Sequence, residues 1–207
     1  MGNQREYYSR RLHSLLGVIP IGIFVIQHLI INHFAVYGEE SFNKAAGFMG
    51  DLPFVLVLET FVIYLPILFH AILGVYIAFA VPRYNNKNYG FVRNWMFLLQ
   101  RITGVIAFIF IVWHVVQTRV QVAFFGAEVN YQMMENILTE PFYFWFYIVS
   151  ILAIVFHLAN GLWGFFVTWG IAQSPKSQQV ISYASIVVFL IVSYIGIRTI
   201  IKFAYGV

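Results

Sequence analysis

Residues 142–171 read FYFWFYIVSILAIVFHLANGLWGFFVTWGI, a run without one Asp, Glu, Lys or Arg. A hydrocarbon core about 30 Å thick needs about 20 residues of helix, and this run exceeds that. Four more stretches do the same, near Leu12–Phe34, Phe54–Val81, Asn94–Val120 and Val180–Tyr205. The chain is therefore expected to be an all-α, polytopic membrane protein of five spans. Of its 207 residues 61% are hydrophobic, 19% aromatic and 10% charged, with a mean hydropathy of +0.80. Soluble domains carry about 25% charged residues. No Gly/Ser/Pro-rich linker interrupts it, so residues 1–207 are expected to form one domain. The first span is too long for a cleavable leader, and no small-residue cleavage site follows it.

There is no cysteine. That excludes disulfides, thiolate-ligated zinc or iron–sulfur clusters, covalently attached haem and thiol nucleophiles. Arg5, Arg10, Arg11, Arg83, Lys87, Arg93 and Lys176 fall on one side of the predicted spans. Lys44 and Arg119 fall on the other, among Glu39, Glu40, Asp51, Glu128, Glu135 and Glu140. The positive-inside rule then predicts a cytoplasmic N-terminus and an external C-terminus, against which Arg198 and Lys202 run. The expected surroundings are a cell membrane and its lipid, and nucleic acid is not an expected partner.

Each of the first four spans carries one central histidine, namely His28, His70, His114 and His157, and the fifth carries none. Ionisable residues at bilayer depth are costly and mark sites or pathways. At about 1.5 Å per residue, His28 and His114 lie roughly 24 and 30 Å from the inner ends of their spans, nearer the outer face. His70 and His157 lie roughly 25 and 22 Å from the outer ends of theirs, nearer the cytoplasm. The sequence repeats with the same pairing: FHAILGVY (69–76) echoes FHLANGLW (156–163), and GVIPIGIFVIQH (17–28) echoes GVIAFIFIVWH (104–114). A two-span repeat of this kind places the first span opposite the third and the second opposite the fourth.

Two facing histidines can hold a metal ion or a haem. A lone zinc or copper site usually recruits Cys, Met or carboxylate as well, and none is placed to join either pair. Gly74 and Gly161 fall one turn beyond His70 and His157, about 40° round the helix, where a missing side chain leaves room for a porphyrin plane or for close helix packing.

With RRLHSLLGVIPIGIFVIQHL (10–29) and RNWMFLLQRITG (93–104), these motifs make the whole chain resemble a known family. It is similar to the dihaem cytochrome b membrane anchors of succinate:menaquinone oxidoreductases and fumarate reductases, of the single-polypeptide, five-span type found in Bacillus-like bacteria. The resemblance implies two haem b groups, one ligated by His70 and His157 and an outer one by His28 and His114. It also implies menaquinone as substrate, and cytoplasmic flavoprotein and iron–sulfur partner subunits that carry out the dicarboxylate chemistry. The chain itself has no flavin or dinucleotide fingerprint. Another quinone-linked dihaem cytochrome, such as the membrane subunit of a formate dehydrogenase or hydrogenase, shares these ligands. A proton or cation transporter with a histidine relay shares the buried histidines.

Other polar residues have candidate roles. Arg11, His13 and Ser14 can meet the propionates of the inner haem, since guanidinium favours bidentate carboxylate contacts. Asn32 and Thr118, one turn outward from His28 and His114, can contact the outer haem or a quinone, or satisfy backbone groups. Pro66 frees the carbonyl of Val62 and is expected to kink the second span. Glu59 is the one carboxylate inside a predicted span. Eleven residues before His70, it falls about 20° from it on an α-helical wheel and roughly 16 Å outward, at the level of the outer pair. It is the candidate to carry protons for quinone chemistry.

Overall fold

A computed structural model describes residues 2–80 and 91–207. Arg83, Lys87 and the expected inner end of the second span at Val81 lie outside the described residues. All regular structure among the described residues is helical. Five helices are long and apolar enough to cross a membrane: Gln4–Tyr37, Val55–Ala80, Val92–Phe125, Pro141–Thr168 and Pro175–Tyr205. Inner denotes the end carrying the N-terminus, outer the opposite end.

The first four spans form a ring in which the first packs on the second, the second on the third, the third on the fourth, and the fourth on the first. The first therefore stands diagonal to the third, and the second to the fourth, as the repeat predicts. The fifth lies outside the ring along the fourth span and the outer half of the first. Gly196 permits that approach, because a Cβ there would sit 2.8 Å from Ile151 and 3.6 Å from Leu29. Without a solvent-driven hydrophobic effect between lipid-embedded helices, such close packing is a main source of adhesion.

Several ends differ from the hydropathy reading for local reasons. The first span begins near the N-terminus and continues through Pro20, whose missing amide leaves one bond of the ladder unmade. The fourth ends at Thr168, three residues before Ile171. Gly170 takes a left-handed conformation (φ 71°), and the amides of Ile171 and Ala172 both return to the carbonyl of Phe166. The fifth begins at Pro175, five residues before Val180. Ser174 Oγ accepts from the Ser177 amide (3.1 Å) while Ser177 Oγ accepts from the Ser174 amide (3.0 Å).

Two short helices, Glu39–Gly50 and Tyr131–Leu138, occupy stretches that hydropathy leaves as outer loops. Phe42, Tyr131 and Leu138 are buried with Phe203 of the fifth span, and Asn43 Oδ1 accepts from the Tyr131 amide (2.8 Å). They form a cap over the outer end. Arg198 and Lys202 donate to the carbonyls of Val207 and Gly206, both at 2.7 Å. Cations at a helix C-terminus answer its free carbonyls and dipole, which accounts for two positive charges on the outer side.

Candidate haem and quinone site

The four central histidines meet as diagonal pairs. His28 and His114 have ring centroids 6.0 Å apart and planes at 77°; His70 and His157 are 6.1 Å apart at 87°. A ring nitrogen lies about 1.1 Å from its ring centre and binds a metal at about 2.0–2.1 Å, so two imidazoles on opposite sides of one ion have centroids about 6 Å apart. Both pairs have that spacing. Among the described residues, no group of three His, Cys, Asp or Glu could hold a metal ion. Each pair can therefore offer one ion two ring nitrogens from opposite sides.

The outward nitrogens of His70, His157 and His114 have hydrogen-bond partners among the described residues. His70 Nδ1–H donates to the carbonyl of His13 (2.9 Å), and His157 Nδ1–H donates to that of Gln100 (3.0 Å). His114 Nδ1–H donates to the Tyr147 hydroxyl (3.1 Å), which in turn donates to Gln117 Oε1 (3.1 Å). Such tethers fix the tautomer with Nε2 unprotonated and hold the ring in orientation for a metal.

The repeat recurs in these contacts. His13, Gly17, His70 and Gly74 each correspond to a residue 87 positions later, namely Gln100, Gly104, His157 and Gly161. A Cβ on Gly17 would lie 2.4 Å from His70 Cε1, and one on Gly104 would lie 2.9 Å from His157 Cε1. These two glycines bring the first and third spans against the inner histidine rings, a task the sequence reading did not assign. Gly74 and Gly161, which it did single out, line the cavity and abut His13 Nε2 and Gln100 Nε2, both at 3.2 Å from a Cβ.

One cavity of about 2070 Å³ runs through the ring and is lined by all four histidines. Single small-molecule pockets measure about 300–1,000 Å³, so its size accommodates more than one large apolar group. Arg11, His13, Ser14, Asn32, Thr118 and Glu59 also line it. Arg11 donates to the carbonyl of Thr168 (3.1 Å), and its guanidinium lies 4.7 and 5.0 Å from the rings of Tyr7 and Trp169. His13 stacks on His70 at 3.9 Å, and its buried Nε2 has no hydrogen-bond partner among the described residues. A buried polar atom of that kind calls for a partner, and a carboxylate reaching the cavity could supply it. Asn32 donates to the carbonyl of His28 and Thr118 to that of His114, both at 2.7 Å, so each also answers a backbone group. His33 does not line the cavity; its Nδ1 bonds Thr199 Oγ1 (3.0 Å) and ties the first span to the fifth.

Glu59 corrects one step of the wheel argument. The helix widens into a π turn over Glu59–Tyr64, just before Pro66, and the Leu65 amide reaches back to the carbonyl of Thr60. Pro66 has no amide for the carbonyl of Val62, and Thr60 Oγ1 takes that of Leu56 (2.7 Å). The extra residue in such a turn shifts register by about 100°, so the 20° alignment with His70 does not hold. Glu59 faces the cavity edge through a different contact, an ion pair with Arg119 of the third span. Arg119 lies in a second π turn, Val116–Val120, where Thr118 holds the carbonyl of His114. The cation counted with the outer loops is therefore a cavity residue. Lys44, the other, pairs with Glu40 at 2.6 Å.

The family of succinate dehydrogenase and fumarate reductase transmembrane subunits matches residues 82–197. The succinate dehydrogenase cytochrome b558 subunit of Bacillus subtilis (strain 168) is 53% identical over 203 residues, which cover 98% of this chain and 100% of that protein. The chain belongs to this family of transmembrane subunits. Membership replaces the transporter and formate dehydrogenase or hydrogenase readings.

Proposed function

We propose that this cytochrome b membrane subunit of succinate dehydrogenase holds two haem b groups, the inner between His70 and His157 and the outer between His28 and His114. The observation that carries the reading is the pair of centroid distances, 6.1 and 6.0 Å, with the rings of His70, His157 and His114 tethered through Nδ1. A haem held by two imidazoles supplies one-electron transfer with no open position for oxygen. The chain's residues do the rest. Four spans fix the ligand rings, and the apolar walls exclude water. Arg11, His13 and Ser14 lie on the inner side, ready for carboxylate groups. The absence of cysteine makes both groups non-covalent.

The catalytic subunits of the complex, a flavoprotein and an iron–sulfur protein, dock on the inner, cytoplasmic side, and menaquinone reacts beside the outer pair. Charge bias supports that orientation, with the N-terminus inside and the C-terminus outside. At the outer level, Glu59 and Arg119 put the ionisable groups that proton-coupled quinone chemistry needs against the cavity. Glu59 carries the protons and Arg119 holds it in place.

The test is a reduced-minus-oxidised spectrum of the purified complex with extracted haem counted against bound flavin. Two haems per flavin are expected, and one overturns the reading. A steric variant checks the inner site. Gly17→Val drives a side chain into the His70 ring, at a cost of about 1–3 kcal/mol or more. It should deplete the inner haem signal, and Gly104→Val should deplete the same signal through His157. Retention of the full inner spectrum by both variants would show that these glycines do not seat the ligands.

A further inference from the structure

The cavity is not sealed from the lipid. Among the described residues, the second and third spans are only sparsely packed against one another. Leu58, Val62 and Leu68 on one side, and Phe108, Val112 and Val116 on the other, line the cavity and are nonetheless exposed over two-fifths or more of their surface, as side chains reaching past the cavity wall would be. Val62 is 45% exposed and Val112 51%. A side chain that belongs to both surfaces stands at the rim of an opening. On the third span the rim residues recur every four positions, an i, i+4 stripe along one face. The Glu59–Arg119 ion pair bridges the same two spans at the outer end of the stripe, with its side chains 20% and 42% exposed.

A quinone with an isoprenoid tail dissolves in the bilayer, so its path to a site inside the ring must open at hydrocarbon depth. A slit walled by Val, Leu and Phe matches such a tail. A charged pair at one end matches the polar head. Both members of the pair sit in π turns, where the helical ladder is already interrupted and side chains change direction at lower cost than in an unbroken α-helix.

We infer that menaquinone enters and leaves laterally through the seam between the second and third spans, and that the Glu59–Arg119 ion pair is the outer closure of that portal. The inference rests on the outer quinone site proposed above. Apolar contact along the slit guides the tail, and the pair parts as the head passes.

The absence of native cysteine makes the portal testable in the assembled complex. Val62→Cys and Val112→Cys are compared with Leu190→Cys, an exposed position on the fifth span away from the cavity. Each is treated with a bulky, membrane-soluble maleimide, and the unsubstituted complex treated alike corrects for cysteines of the partner subunits. Labelling at the seam should lower quinone-linked turnover at least tenfold relative to the same variant before labelling. Dye-linked succinate oxidation and both haem spectra should hold, and Leu190→Cys should lose nothing. In the Val62→Cys background, Arg119→Gln should speed labelling severalfold, a readout independent of turnover. Labelled seam variants that use quinone as well as labelled Leu190→Cys place the portal elsewhere, and an unchanged labelling rate with Arg119→Gln removes the pair as its closure. The two levels of the reading separate. If Glu59→Gln impairs quinone turnover while seam labels do not, the site stands and the portal falls. If seam labels block turnover while Glu59→Gln does not, the portal stands and the proton role falls.

Discussion

Alanine at His70 or at His157 should remove the same haem, the inner one, and alanine at His28 or at His114 should remove the outer. Each substitution deletes one of two axial bonds, and the remaining imidazole cannot hold both faces of the ion. Loss of the affected signal should be nearly complete, leaving about one haem per flavin. The pairing is the informative part, because it is diagonal across the ring. In the proposed arrangement neighbouring spans carry ligands of different haems, so His28→Ala and His70→Ala should give complementary spectra. Identical spectra from those two variants refute the arrangement. A lost haem also leaves a large cavity that can hinder assembly, so each spectrum is normalised to the flavin that copurifies. Tyr147→Phe provides a milder control. It removes the hydroxyl that tethers His114 Nδ1 and leaves the ring in place, so the outer haem should remain bound with an altered potential.

The helical repeat at the histidines was legible because depth depends only on counting along the chain. Two residues at equal depth on diagonal spans need no knowledge of the helix faces to be paired. The glycines show the limit of that reasoning. Gly74 and Gly161 stand out by lying one turn from histidines on their own helices. Gly17 and Gly104 matter through histidines on other helices, 53 positions later in each case. A signal was nonetheless present, since both open the repeated GVI motif and share one register with Gln100 and His13. Tyr147 carries no such mark. One tyrosine among many in an aromatic span is distinguished only by what its hydroxyl reaches.

The outer site was harder to read because a wheel assumes a constant turn. Pro66 signalled an irregularity, which takes the form of a wide turn rather than only a bend. On an α-helical wheel Arg119 falls about 140° from His114 and belongs with the loop charges. The Val116–Val120 turn changes that register, and no residue in it is a proline. Thr118 supplies a physical reason only once its hydroxyl is seen on the His114 carbonyl. The two outer-cap helices escaped for a different reason: they are too short to register in a window sized for a membrane span.

Glu59→Gln should abolish most quinone-linked turnover while sparing the steps before it. Reduction of a quinone takes two electrons and two protons, and oxidation of the quinol returns them. Haems held by the two histidine pairs would supply the electrons, but an apolar wall passes no protons, so a group with an exchangeable proton must stand at its edge. Glu59 lines the cavity with one-fifth of its side chain exposed, which gives it access to both sides of that edge. Glutamine keeps the length and shape and cannot cycle a proton. General acid–base groups contribute about 10²–10⁴ in rate, so a fall of at least about a hundredfold is expected. Dye-linked succinate oxidation and both haem spectra should stay at wild-type levels, because neither draws on the outer proton path. The ion pair supplies a rival account, in which Glu59 serves only to hold Arg119 and the second and third spans together. Arg119→Gln separates the two, since it breaks the same pair and leaves the carboxylate. Under the proton role, Glu59→Gln costs far more turnover than Arg119→Gln, and Glu59→Asp restores part of it with an altered pH profile. Under the structural role, the two glutamine variants match and Glu59→Asp behaves no differently from them. Wild-type quinone turnover in a fully assembled Glu59→Gln complex would exclude the carboxylate from the proton path altogether.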